Sequence, residues 1–277
     1  METYPFPRYP YVGITGVMPQ DSVGSIVDLL PGRVDRCPEP YDRPCCRLMS
    51  GILVSEKTLN GIPNKWPHRY PDVSKIAGLI VEDLRVLNLV HYNTKNTDLA
   101  RQLVEVHEKA GIPERLDGFQ LNIAWPDPRE ILSFLQWADR HITHGRDGQY
   151  LVLQIGSRAF EEVFNSPKVL EAYLRDYDGL IDYILLDPSG GLGQVSGAEF
   201  YRPYLEELYS EERRFGVGIA GGFGPGRLQT VSELLPEYPY LSIDAEGQLR
   251  DDQDDLDFAK ALAYVAETLD IFRTAVA

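Results

Sequence analysis

Asp187 closes the most apolar run in the chain, Ile184, Leu185 and Leu186, and gives way at once to Pro188, Ser189, Gly190, Gly191 and Gly193. A carboxyl held among apolar neighbours has a raised proton affinity, which suits a general acid. The plainer reading is an aspartate capping the turn that follows it. A second apolar run, Phe215–Ala220, breaks in the same way into Gly221, Gly222 and Gly224. Glycine lets bare backbone N–H groups approach a ligand, so both loops are candidate phosphate cradles, although tight turns use the same residue.

Other apolar runs also end in polar groups: Thr15, Glu56 with Lys57, His91 with Asn93, Asn122, Gln154 and Asp244. Burying such groups without partners costs on the order of a few kcal/mol each, so packing alone does not explain them. They either hydrogen-bond to one another or meet a ligand. His91 is a candidate proton carrier. His141 and His144 are three apart, but no paired carboxylate motif accompanies them, and no metal site is expected. His107 falls mid-helix, at an expected surface position. No serine nucleophile elbow is present and no cysteine ends a strand, which removes the commonest covalent chemistries. The Asp251–Asp255 cluster is expected to favour the start of the last helix through its dipole.

The elements that would position these residues alternate. Short apolar runs at Tyr11–Thr15, Leu48–Val54, Val86–Tyr92, Gly118–Ile123, Tyr150–Ile155, Tyr183–Asp187, Phe215–Ala220 and Leu241–Asp244 read as parallel strands covered on both faces. Amphipathic stretches follow, most clearly Asp98–Ala110, Pro128–Trp137, Phe160–Tyr173, Ala198–Tyr209 and Leu256–Phe272. Strict alternation over eight units implies a single α/β domain, a closed (β/α)₈ TIM barrel spanning residues 1–277. An open doubly wound sheet would carry its glycine fingerprint after the first strand, whereas these glycines follow the sixth and seventh. Two irregular segments, 32–46 and 60–72, interrupt the pattern. The second follows strand two and would lie over the catalytic rim as a lid, or simply run over the surface.

Composition narrows the partners. Hydrophobic residues at 43% and charged residues at 25% are ordinary for a globular protein that stays in water. A formal charge of -15 argues against a nucleic-acid surface and requires a local positive site for any anionic substrate. Three cysteines, two of them adjacent, make no disulfide framework, so a reducing compartment is expected. No long apolar run or signal peptide is visible, which predicts a cytoplasmic chain that does not enter a membrane. A homo-oligomer stays open.

The order of these motifs resembles the phosphoribosylanthranilate isomerase family: VGIT at Val12–Thr15, GFQLNI at Gly118–Ile123, LLDPSGGLG at Leu185–Gly193, AGGFGP at Ala220–Pro225, and a last strand leading to Gly247. The resemblance covers most of the chain. It implies a (β/α)₈ barrel of tryptophan biosynthesis that performs an Amadori rearrangement of a phosphorylated aminoribose, with no cofactor. Asp187 matches the family's general acid. Gly190, Gly191, Gly193, Gly221, Gly222 and Gly247 match phosphate-binding positions, with Lys57 a further candidate.

The chain departs from the family where the family's base, a cysteine, would stand. That position is Val12, which cannot move a proton, so His91 and Glu56 are the candidates by position. The arginine that meets the substrate carboxylate is replaced by Asn60, leaving Lys57 or Arg69 to substitute. Ala245 and Glu246 stand where two serines are usual. A desolvated carboxylate there repels a phosphate by several kcal/mol unless something pairs it. The expected activity is therefore isomerisation of a phosphosugar derivative. The alternatives are a lyase or hydrolase on an unphosphorylated ligand, using Glu246 and Asp187 as an acid–base pair, and a non-catalytic binding or assembly protein.

Overall fold

A computed structural model describes residues 9–19, 21, 23–30, 46–111, 116–142, 149–189, 196–210 and 215–275. Eight parallel strands close in sequence order into a barrel. They are β1 (Tyr11–Thr15), β2 (Arg47–Ser55), β3 (Val86–Asn93), β4 (Gly118–Leu121), β5 (Tyr150–Gly156), β6 (Tyr183–Asp187), β7 (Gly216–Ala220) and β8 (Ser242–Ala245). The closing pair is β8 with β1, in which Gly13 lies opposite Asp244. The helices outside are α1 (Glu56–Leu59), α2 (Leu99–Ala110), α3 (Pro128–His141), α4 (Ser157–Glu162), α5 (Pro167–Leu174), α6 (Ala198–Tyr209), α7 (Gln229–Leu234) and α8 (Phe258–Ala275).

Side chains on a strand alternate between faces, so each strand feeds two cores. The barrel interior is filled from its lower end by Tyr11, Met49, Leu87, Leu89, Tyr150 and Tyr183, among others. Tyr11 and Tyr183 meet edge to face with ring centroids 5.3 Å apart. The larger core lies between barrel and helices and takes Val12, Ile14, Ile184 and Leu186. In β6, Ile184, Leu185 and Leu186 are fully buried, each worth about 1.5–3 kcal/mol of burial. A charge at Leu185 would break the strand that carries Asp187.

Three local expectations are corrected. The helix expected over Phe160–Tyr173 is two, α4 and α5. Phe164 and Asn165 adopt left-handed φ values of 57° and 51°, and Pro167 opens a new helix, which forces Ser166 into extended backbone. His107 is not on the surface. It is buried between α2 and its neighbours, hydrogen-bonded to Gln149 at 3.1 Å and packed on Phe119, Phe134 and Trp137. The acidic cluster does not serve α8, whose first turn is capped by Asp257 through the Lys260 N–H. Asp251 caps its own turn instead, and Asp254 and Asp255 bind Arg69 and His68.

Of the irregular segments, residues 32–45 lie outside the described residues. Residues 60–72 form no helix or strand and lead into a 3₁₀ turn, Val73–Leu79, capped by Asp72. No described helix is long and apolar enough to cross a membrane.

Candidate active site

A cavity of about 660 Å³ opens at the carboxyl ends of the strands. Because Leu89, Val152, Leu185 and Tyr11 face inward, the residues two or four further along their strands do so too. This places His91, Gln154, Asp187 and Thr15 on the cavity lining, where Gln120 of β4 and Asp244 of β8 join them.

The floor between β1, β3 and β8 is a buried polar chain. Thr15 donates its hydroxyl to Oδ1 of Asp244 at 2.9 Å, and its Oγ1 lies 3.4 Å from Nδ1 of His91. Two glycines make room for it. A Cβ on Gly13 would stand 2.5 Å from Oδ1 of Asp244, and one on Gly51 would stand 2.7 Å from Oγ1 of Thr15 and 2.8 Å from Nε2 of His91. Arg250, also buried, donates to the carbonyls of Thr15 and Gly16 at 2.6 and 2.8 Å and so fixes the end of β1. Burial pushes the Asp244 carboxyl up to about 7, with Thr15 pulling it down and Glu246 and Asp187 adding to the rise. Burial holds His91 down to about 3, so its imidazole is neutral at pH 7 and a weak proton acceptor.

A second chain crosses the opposite side. Gln120 donates to Gln154 at 3.2 Å, and Gln154 donates to Oδ2 of Asp187 at 2.8 Å. Oδ1 of Asp187 accepts from the backbone N–H and the hydroxyl of Ser189 at 3.2 and 2.7 Å. Asp187 thus caps its turn and faces the cavity at once, and its setting is amide and hydroxyl, not apolar. Gly221, Gly222 and Gly247 line the wall beyond β7 and β8, with Gly221 and Gly222 at φ values of 130° and 71° that disfavour side chains. Gly190, Gly191 and Gly193 lie outside the described residues.

The mouth is closed on one side by the loop after β2. Arg69 lines the cavity, donating from Nη1 to Glu246 at 2.7 Å and from Nε to Asp254 at 2.9 Å, while its guanidinium stacks over Trp66. Burial opposes the charge on Arg69, but Asp254 and Glu246 more than offset it and raise its pKa. Burial, reinforced by Glu246, raises the Tyr70 phenol to about 12. Glu246 therefore pairs with a guanidinium while its side chain stays partly exposed.

Two of the sequence candidates are not brought to the cavity. Glu56 and Lys57 sit on α1 outside its lining, where Glu56 accepts from Thr94 at 3.1 Å and Lys57 is exposed. Gln120 and Tyr70 carried no sequence argument. Gln120 had a signal, since it stands two residues before Asn122 in an otherwise apolar strand. Tyr70 had none, because its place depends on the fold of an irregular loop. Among the described residues no group of His, Cys, Asp and Glu could hold a metal ion.

Solved phosphoribosylanthranilate isomerases share this barrel fold. The enzyme from Thermus thermophilus superposes with a TM-score of 0.58 at 17% identity, over 94% of this chain and 98% of that one. TrpF from Jonesia denitrificans does so with a TM-score of 0.54 at 14% identity, over 95% and 98%. A phosphoribosylanthranilate isomerase in complex with reduced 1-(o-carboxyphenylamino)-1-deoxyribulose 5-phosphate gives 0.56 at 14% identity, over 94% and 99%. At these identities the likeness establishes the fold. No family model and no curated protein matches the chain.

Proposed function

We propose that the cavity is the active site of an isomerase of the phosphoribosylanthranilate isomerase type, acting on a phosphorylated sugar that carries an amine at its first carbon. The observation that carries this reading is the placement of Asp187. It ends β6 on the cavity lining, oriented by Gln154 and Ser189, with Gly221, Gly222 and Gly247 lining the wall beside it. Asp187 serves as the acid that opens the furanose ring. The glycine-lined wall offers main-chain N–H groups to the phosphate. Arg69 pairs Glu246 and so reduces its repulsion of a phosphate, although Asp254 shares the same guanidinium.

The same ion pair weakens the alternative acid–base pair of Glu246 and Asp187, because Glu246 is engaged elsewhere. Complementation of a tryptophan-requiring strain, followed by turnover of N-(5′-phosphoribosyl)anthranilate by the purified chain, tests the reading. Growth and turnover support it. Absence of both at good expression, with ribose 5-phosphate bound no better than ribose, overturns it in favour of an unphosphorylated ligand.

A further inference from the structure

The isomerisation needs an acceptor for a carbon-bound proton, and β1 does not supply one. Val12 belongs to the apolar layer between barrel and helices, so its side chain is turned away from the cavity. The inward position beside it is Gly13, which has no side chain. The space that one would need is filled from the neighbouring strand, by Oδ1 of Asp244. We propose that Asp244, rising from β8 into the slot beside Gly13, is the general base that removes and returns the carbon-bound proton, an assignment that rests on the isomerase reading of the cavity.

The proton inventory closes with two carboxyls. Asp187 gives its proton to the ring oxygen as the bond from C1 to that oxygen breaks and the nitrogen lone pair forms the C1=N iminium. The Asp244 carboxylate takes the proton on C2. The C–H electron pair becomes the C1=C2 bond, and the C1=N pair returns to nitrogen. Asp244 then delivers its proton to C1 while the C2 hydroxyl releases its own to Asp187, leaving C2=O. Both carboxyls end as they began, and no oxidant or reductant is consumed.

The setting of Asp244 suits a base for a carbon acid. It is 5% exposed, yet it lines the cavity. The groups that act on it are Thr15 and Tyr11 from β1, the backbone N–H of Ala245, Asp187 from β6, Glu246 beyond β8 and Tyr264 from α8, with neutral His91 behind Thr15. Among the described residues Thr15 is the one side-chain donor to the carboxylate, while burial chiefly, and Glu246 beside it, oppose its charge. The result is a carboxylate that is a stronger base than an exposed one and is still substantially ionised at neutral pH. His91 is too weakly basic to compete.

The test uses the full chain with N-(5′-phosphoribosyl)anthranilate as substrate and ribose 5-phosphate as binding probe. Asp244→Asn should lower kcat by about 10³-fold while leaving ribose 5-phosphate affinity and KM within about threefold. It should also abolish incorporation of solvent deuterium into the product carbon. Thr15→Val removes the hydroxyl that favours the ionised form, and should move the acidic limb of kcat/KM to higher pH. If Asp244→Asn keeps turnover within tenfold of wild type, or the limb stays put in Thr15→Val, the base assignment fails and the isomerase reading stands. If the wild-type chain neither turns over the substrate nor binds the probe, the isomerase reading fails and takes the base with it.

Discussion

The carboxylate of Asp244 lies where a side chain on Gly13 would have to go: a Cβ there would stand 2.5 Å from Oδ1 of Asp244 and 2.6 Å from the terminal methyl of Met49. Both neighbours are buried in the barrel, so a methyl group there forces the Asp244 carboxylate or the Met49 methyl to shift. Gly13→Ala should therefore destabilise the fold by about 1–3 kcal/mol through overpacking and displace the carboxylate. Urea unfolding checks the first effect and kcat the second. A variant as stable and as active as wild type would show that the slot is not filled.

Stability should depend on pH through Asp244 and His91, with opposite signs. Asp244 has a folded value of about 7 against an ordinary carboxyl value of 3.8, so the folded state holds the extra proton and stability falls as pH rises through that window. His91 has a folded value near 3 against 6.5, so the unfolded state holds the extra proton and stability rises with pH through its window. The two effects oppose each other between about pH 4 and 6.5. Asp244→Asn removes one of them. The variant should gain on wild type as pH increases, by up to about 4 kcal/mol at pH 8. Denaturant unfolding at pH 4.5, 6 and 8 measures it, and a constant difference across the series would refute the shift.

Arg69 should matter more for ligand binding than for stability. Its pairs with Glu246 and Asp254 are partly exposed, which limits their worth to about 1 kcal/mol. Without it, two carboxylates at the mouth would repel an anion. Arg69→Ala should raise the Kd for ribose 5-phosphate at least tenfold, and adding Glu246→Gln should recover part of that loss. Calorimetric titration decides, and an unchanged Kd in Arg69→Ala would exclude the residue from ligand binding.

Gln154 positions Asp187 and should act through it. Gln154→Leu removes the donor on Oδ2 and leaves the Gln120 amide without its acceptor. The expected result is a fall in kcat of about 10- to 100-fold with KM little changed, smaller than the fall of about 10²- to 10⁴-fold expected for Asp187→Asn. Steady-state kinetics on both variants would show the order, and equal activity of Gln154→Leu and wild type would dismiss the chain as structural.

Strand–helix alternation and the apolar runs were enough to define the barrel, because a parallel strand buried on both faces must be apolar throughout and must be followed by a crossover. The same logic placed Asp187, His91, Gln154 and Gly221 at strand ends, where the structure finds them on the cavity. It failed for Glu56 and Lys57, which follow their strand by only one or two residues but start a helix that carries them off the lining. Facing was also beyond it. A near-continuous apolar strand does not reveal which alternate residues point inward, so Val12 and Gly13 could not be told apart until the barrel closed. Thr15 meets Asp244 across 229 residues of sequence, and Arg69 meets Glu246 across 177. Such contacts leave no periodic trace in the chain, because they depend on β1 pairing with β8 and on an irregular loop folding back over the rim.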